Sequence, residues 1–132
     1  MSTTVTIKSL EERADRLFSE YVRRRDRNHA DQAQCCTCGG WFHWKELDCG
    51  HYMSRKYLST RYSEYNTGPQ CRTCNRMKGG EQLKFLFYLE GKYGKEVVTK
   101  VEEATHFTVK DKREFLLQVI ETVKIKLKEI RF

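Results

Sequence analysis

Four cysteines form two pairs, Cys35 with Cys38 and Cys71 with Cys74, and each pair is separated by two residues. This spacing lets both thiolates of a pair reach one tetrahedral metal ion, and two such pairs complete a closed site. The pattern therefore predicts a structural Zn²⁺ ion. Thirty-two residues lie between the pairs, more than the roughly 15–20 of a simple zinc ribbon, so they must enclose an insertion with structure of its own.

Two further cysteines make disulfide bonds the alternative interpretation. The chain shows no charged-then-apolar leader, which favours a reducing, cytoplasmic location and hence free thiols. Cys36 could replace Cys35 as a ligand, but the C-x-C spacing with Cys38 is tighter than the spacing of the second pair. We expect Cys49 to be a small buried residue.

The enclosed insertion carries a histidine, and an asparagine directly follows the last cysteine of the second pair. The neutral imidazole of His51 is suited to remove a proton from water near neutral pH, the step that phosphodiester hydrolysis requires. A divalent cation normally stabilises the developing charge. Asp48 and the amide oxygen of Asn75 offer oxygen ligands that suit Mg²⁺ or Mn²⁺. Alternatively, His51 could be a zinc ligand or a hydrogen-bonded structural residue.

The formal net charge of +7 is concentrated around these residues. Between His51 and Lys84 there are seven basic residues and two acidic ones. Because basic side chains bind phosphate regardless of sequence, the excess predicts a nucleic-acid partner in general, with a solvated charged surface as the alternative. The predicted phosphate-binding residues are Arg55, Lys56, Arg61, Arg72, Arg76 and Lys78.

The length of 132 residues predicts one domain of the α+β class whose modest core is supported by metal. We divide it into an N-terminal helical arm (1–33), a zinc-bound core (34–94) and a C-terminal helical region (95–132). No apolar run approaches the roughly 18 residues of a membrane span, so we expect no membrane association.

Short patterns predict the individual elements. A capping box at Ser9 predicts a helix to about Asn28. In the core, aromatic-rich runs at 41–44 and 48–53 predict strands, and a third extended segment ends at Cys71. A short helix is then expected with Asn75 in its first turn, and another helix stops near Gly91 or Gly94.

The C-terminal region has a helical apolar pattern that begins at a capping box, 108–111. Packing on the core and a helix–helix contact in a homodimer are equally compatible with about 24 helical residues. The apolar stripe consists of Phe115, Val119, Val123, Leu127 and Ile130.

Taken together, these motifs resemble the HNH, or ββα-metal, nucleases, and more closely the phage recombination nucleases of the lambda NinG (Rap) type. The similarity covers about residues 35–131. Phage endonuclease VII has a similar pattern, with four zinc cysteines around an aspartate–histidine pair and an asparagine directly after the last cysteine. The matching text is Cys35-x-x-Cys38, Asp48-x-Gly50-His51-Tyr52, Asn66, and Gln70-Cys71-x-x-Cys74-Asn75-x-x-Lys78-x-Gly80.

The resemblance implies a β-hairpin and a helix around one catalytic Mg²⁺ or Mn²⁺. It implies that His51 is the general base, that Asn75 binds the metal, and that Asn66 braces the loop between the strands. The implied activity is a DNA endonuclease acting on branched recombination intermediates, such as Holliday junctions or D-loops, in a bacterial host cell. A zinc-dependent nucleic-acid-binding module without catalysis is the alternative, and an RNA nuclease is a third.

One position departs from the family pattern. Many HNH enzymes have an acidic residue immediately before the histidine, whereas Gly50 stands there in this chain. On an extended strand, Asp48 and His51 point to opposite faces, so we expect Asp48 to join the metal only where Gly50 bends the backbone.

Overall fold

Helices at both ends of the chain enclose two small antiparallel sheets in the computed structural model, which describes residues 5–130. The mixture of helices and antiparallel strands confirms the predicted α+β class. The elements are α1 (Ile7–Arg24), β1 (Gln32–Gln34), β2 (Trp41–His43), β3 (Leu47–His51), α2 (Leu58–Arg61), β4 (Thr67–Cys71), α3 (Gln82–Tyr93), α4 (Lys95–Ala104) and α5 (Lys112–Ile130). Short 3₁₀ turns occupy Trp44–Glu46 and Glu64–Asn66, and a π-helical turn occupies Thr73–Met77.

The two sheets meet through the cysteine pairs. Strand β1 pairs with β2, and the turn between them carries the first pair. Strand β3 pairs with β4 from Leu47 opposite Cys71 to His51 opposite Thr67. Because β4 leads into the π-helical turn, the second pair lies beside the first. Cys35, Cys71 and Cys74 pack with Ala33 and Leu47 in a buried cluster, whereas Cys38 is exposed.

Helix α1 has boundaries that differ from the predicted Ser9–Asn28. It begins at Ile7, because the Thr6 hydroxyl accepts a hydrogen bond from the Ser9 backbone N–H at 3.1 Å and thereby caps the helix. It ends at Arg24. The Asn28 side chain accepts bonds from the backbone N–H groups of Ala30 and Gln32, which stabilises a turn in place of further helix.

The C-terminal helix begins later than predicted. Asp111, and not Thr108, caps α5 by accepting a bond from the Glu114 backbone N–H at 3.1 Å. The resulting helix has 19 residues. Helix α4 lies before it and was not predicted. Gly94, with a φ of +93°, separates α4 from α3, a conformation that favours glycine.

The apolar stripe of α5 packs against α1 of the same chain. Leu116 and Ile120 bury against the first half of α1, and Val123 and Leu127 bury against the second half. Phe115, Val119 and Ile130 flank these contacts and are partly buried. The face of α5 that is buried against α1 therefore includes Leu116 and Ile120, which the predicted stripe omitted. Intrachain packing covers this face, and a homodimer through α5 stays a prediction. Within residues 5–130, none of the helices has the length and apolar character needed to cross a membrane.

Two adjacent leucines of α5 provide a matched test of this packing. Leu116 is 0% exposed and Leu117 is 43% exposed. We expect Leu116→Ala to lower the free energy of unfolding by about 2–5 kcal/mol, because it leaves a cavity between the helices. We expect Leu117→Ala to change it by less than about 1 kcal/mol. Urea unfolding measures the free energy of unfolding of both variants. Equal losses of stability in the two variants would contradict the α1–α5 packing.

Candidate functional site

The four cysteines of the two pairs converge on one point. Their sulfur atoms all lie within 4.8 Å of one another, and the Cys38 and Cys71 sulfurs are 3.8 Å apart. With a metal–sulfur distance of about 2.3 Å, sulfurs at the corners of a tetrahedron are about 3.8 Å apart. The cluster can therefore hold a structural metal ion such as zinc, and it contains Cys35 and not Cys36.

The surroundings of Cys35 favour its thiolate, which is the form that binds a metal ion. Burial opposes ionisation of Cys35, but donors directed at its sulfur outweigh that effect and lower its pKa to about 6. These donors include the backbone N–H groups of Cys71 at 3.3 Å and Cys38 at 3.4 Å. Cys49 lies outside the cluster, and burial raises its pKa to about 12, so it remains a neutral thiol.

An open cleft of about 900 Å³ lies beside β3 and α1. His51, Asp48 and Asn75 all line it, so the fold brings these three predicted residues to one surface. The basic side chains along it are Arg16, Arg23, Lys45, Arg55, Arg61, Arg72 and Arg76, and the acidic ones are Glu12, Asp15 and Asp48. The cleft thus combines proton-accepting and oxygen-donor groups with an excess of positive charge.

His51 is held by a backbone carbonyl. Its Nε2 lies 2.9 Å from the carbonyl oxygen of Arg61. Because a carbonyl only accepts, the neutral ring carries its proton on Nε2 and its lone pair on Nδ1. The ring also interacts with the backbone of Cys49. Burial lowers the His51 pKa, although the Arg61 carbonyl opposes that effect, and the positive charges of Arg55 and Arg61 lower it further. The ring is therefore neutral at neutral pH.

Asp48 contacts Asn75 directly. The Asn75 Nδ2 donates to Asp48 Oδ2 at 2.9 Å, and Arg76 donates to both oxygens of the same carboxylate, each at 2.9 Å. Burial alone would raise the Asp48 pKa, but these bonds from Arg76 and Asn75 lower it. Because an ionised carboxylate only accepts hydrogen bonds, the side-chain atom of Asn75 that faces Asp48 must be the NH₂ group. The other side-chain atom, Oδ1, is therefore the acceptor that remains for another ligand.

Glycine is required at position 50 because neighbouring side chains leave no room for a Cβ atom, and not because the backbone of β3 bends there. Strand β3 stays in register with β4 through Gly50, which lies opposite Gly68. A Cβ atom at position 50 would lie 2.4 Å from the Gln70 Oε1 atom and 2.9 Å from a ring carbon of Phe85. An acidic side chain therefore does not fit there. Asp48 meets Asn75 without the bend that we expected, because Asp48 lies opposite Gln70, just before the π-helical turn.

Asn66 is fully buried and holds the loop between β3 and β4 together. Its Nδ2 donates to the carbonyls of Met53 at 3.2 Å and Thr60 at 3.1 Å, and its Oδ1 accepts from the Met53 backbone N–H at 2.7 Å. It is not among the residues that line the cleft.

The predicted phosphate-binding residues divide into two groups. Arg55, Arg61, Arg72 and Arg76 line the cleft. Lys56 lines an adjacent groove that also includes His51, with its Nζ 5.0 Å from the Tyr57 ring, and Lys78 follows the π-helical turn outside the cleft lining. The cleft has three further basic residues that are not among the predicted phosphate-binding residues: Arg16, Arg23 and Lys45. Arg16 and Arg23 precede the insertion and Lys45 lies near its start, and no local spacing relates the three to His51 or Asn75.

The cysteine cluster generates a prediction about metal content. We expect Cys71→Ser to lose bound zinc and to melt at a much lower temperature, because structural zinc binding is coupled to folding. Cys49→Ala provides the control, and we expect it to retain one zinc per chain. Elemental analysis and thermal melting measure both properties. A Cys71→Ser variant with unchanged zinc and unchanged melting would contradict the proposed ligand set.

A family model and several curated proteins that are similar to this chain all point to the same family. The family model described as "Bacteriophage Lambda NinG protein" matches residues 4–132. The chain is 29% identical over 90 residues to protein ninG of Escherichia phage lambda and equally to that of Escherichia phage 933W, and 28% identical to that of Enterobacteria phage H19B. Each alignment covers 67% of this chain and 42% of the relative, so the chain spans about two-fifths of the length of these relatives. No solved structure matches. Because the family match covers nearly the whole sequence, the chain belongs to the bacteriophage lambda NinG family.

Proposed function

We propose that this chain is a divalent-metal-dependent DNA endonuclease of the HNH type with a structural zinc ion. One observation carries the proposal. His51, with its Nε2 satisfied by a backbone carbonyl, lies in the same basic cleft as Asn75. A noncatalytic binding module would need the positive charge, but it would not need an oriented imidazole in the same cleft as an amide oxygen that can bind a cation.

The order of elements supports the HNH assignment. Strands β3 and β4 form an antiparallel pair, and β4 leads into a helical turn that carries Asn75. This is the strand–strand–helix order that the family resemblance implies. Cys71 and Cys74 hold the start of the same turn, so a zinc ion there would also fix the backbone at Asn75.

In the proposed reaction, His51 acts as the general base. Its Nδ1 accepts a proton from water while the water oxygen attacks the phosphorus, the bond from phosphorus to one of the sugar oxygens breaks, and that oxygen takes up a proton from solvent water to leave as a hydroxyl. The Asn75 Oδ1 is an oxygen donor suited to Mg²⁺ or Mn²⁺, and a cation bound there would stabilise the charge that develops on the phosphate. Asp48 orients the Asn75 amide through the Nδ2 bond. The Asp48 carboxylate could also bind the metal directly if it gave up its hydrogen bonds to Arg76, whose side chain is 61% exposed.

The arginines of the cleft are suited to hold the DNA backbone. Arg72 and Arg55 have exposed side chains in the same cleft as His51 and Asn75, and Arg55 also donates to Asp15 Oδ2 at 3.0 Å. Phosphate contacts from such side chains position a duplex without reading its sequence. The proposed preference for branched recombination intermediates rests on the family resemblance. The charges of the cleft support binding of phosphodiesters in general.

Replacement of His51 tests the activity. With Mg²⁺ or Mn²⁺ supplied, we expect the wild-type chain to cleave DNA and His51→Ala to be about 10²–10⁴-fold slower, because the general base is lost. The exposed His106 gives the control variant His106→Ala, which should cleave as the wild type does. The assay compares linear, nicked and four-way DNA with matched RNA. Equal cleavage by His51→Ala and the wild type would show that His51 is not the general base. DNA binding by the wild type without cleavage under every metal condition would favour the noncatalytic module.

The pH dependence provides a second test. Because burial lowers the His51 pKa below its ordinary value of 6.5, we expect kcat/KM to rise with pH and to level off above an apparent pKa lower than 6.5. The folded chain then binds fewer protons at this site than the unfolded chain. His51 should therefore reduce stability as the pH falls through its unfolded pKa. Cleavage rates and urea unfolding from pH 5 to 8 measure both effects, and an acidic limb that persists in the residual activity of His51→Ala would contradict the assignment.

A further inference from the structure

A carboxylate of α1 holds the residue whose carbonyl orients His51. Asp15 accepts two hydrogen bonds from the Arg61 guanidinium, from Nε at 3.0 Å and from Nη2 at 2.6 Å. This bidentate geometry restrains both position and orientation. The Arg61 side chain is 17% exposed and that of Asp15 is 27% exposed, so the pair is largely shielded from water.

The residue after Arg61 is held at the same point. The Tyr62 hydroxyl donates to Asp15 Oδ1 at 2.9 Å. The Tyr62 ring packs edge-on against Phe18 of α1, with ring centroids 5.8 Å apart, and also contacts Phe115 of α5. Two consecutive residues at the end of α2 are therefore attached to the helical arm by both polar and apolar contacts.

Arg61 connects this attachment to the imidazole. Its backbone carbonyl is the partner of His51 Nε2 at 2.9 Å, while its side chain is bound to Asp15. Displacement of Arg61 would move the carbonyl that selects the His51 tautomer. The proposed proton acceptor, Nδ1, would then lose its fixed direction. Because reaction rates depend steeply on alignment, a displacement of about 1 Å can cost about 10²-fold in rate.

We propose that Asp15 is a positioning residue for His51, acting through Arg61. The expected effect of Asp15 on cleavage rests on the proposed function. The expected effect of Asp15 on the His51 ring can be measured in a chain without any activity. It assigns the N-terminal helix a role in the site. Arg61, which sequence analysis placed among the phosphate-binding residues, would use its side chain mainly to hold the loop.

The competing explanation is that Asp15 only neutralises the positive charge of the cleft. Loss of its charge would then strengthen DNA binding and leave kcat unchanged. Glu11 allows the two explanations to be separated. It lies one helical turn before Asp15, and its charge acts on Arg61 without a hydrogen bond to it in the described structure.

The kinetic experiment compares Asp15→Asn with Glu11→Gln in the full chain with Mg²⁺ or Mn²⁺. We expect Asp15→Asn to lower kcat by about 10- to 100-fold, with a KM for DNA that is unchanged or lower. Glu11→Gln should retain the wild-type kcat. Asp15→Glu restores a carboxylate that can reach Arg61, and we expect it to recover part of the loss. A kcat for Asp15→Asn equal to that of Glu11→Gln would overturn the proposal.

The structural experiment uses nitrogen NMR of the imidazole in the same variants. The wild-type ring should show a single tautomer with the proton on Nε2, and Asp15→Asn should show a mixture of the two tautomers. An unchanged tautomer in Asp15→Asn would overturn the proposal, whether or not the chain cleaves DNA. Absence of wild-type cleavage together with the expected tautomer change would instead reject only the nuclease function.

Folding is checked through melting temperature and zinc content. If Asp15→Asn does not fold, Arg61→Lys replaces it, because lysine keeps the charge and the backbone carbonyl but loses the bidentate contact. The same tautomer mixture and the same loss of kcat are expected from Arg61→Lys. Wild-type values of both in that variant would overturn the proposal.

Discussion

The convergence of four thiols on one point is the constraint on which the rest of the core depends. One pair comes from the turn between β1 and β2, and the other from the junction between β4 and the π-helical turn. In the part of the chain that the structure describes, each sheet has two strands, and an isolated two-stranded sheet is marginally stable in water. A metal ion held by these thiols would join the sheets and stabilise both, since a small core buries too little apolar surface alone.

The same junction places the oxygen donors of the proposed catalytic site. Asn75 directly follows a cysteine of the cluster, so a metal ion held by the four thiols would set its backbone position. The pairing of β3 with β4 then brings Asp48 to Asn75. Gly50 permits this pairing at close range, because its missing side chain leaves room for Gln70 and Phe85. Structural and proposed catalytic features thus share one short stretch of backbone.

The terminal helices complete the site. Helix α5 covers the apolar face of α1, and α1 in turn supplies Arg16, Arg23 and Asp15 to the cleft. Asp15 contacts the end of α2, whose Arg61 holds His51. The imidazole therefore depends on packing between helices that are distant in sequence. The helical arm is better regarded as one wall of the site than as an attachment to the core.

By itself the sequence determined the features that depend on local spacing. The C-x-x-C pairs predicted the cysteine cluster, and the junction of Cys74 with Asn75 placed an amide beside it. Short-range patterns also located α1 and α5, although Thr6 and Asp111, and not Ser9 and Thr108, proved to be their caps. Only the tertiary structure decided that Asp48 binds Asn75 and Arg76, that Arg61 orients His51, and that Asp15 holds Arg61. Residues 15, 51 and 61 are brought together by helix packing and strand register, and single hydrogen-bonding residues leave no periodic signal in a sequence from which such contacts could be predicted.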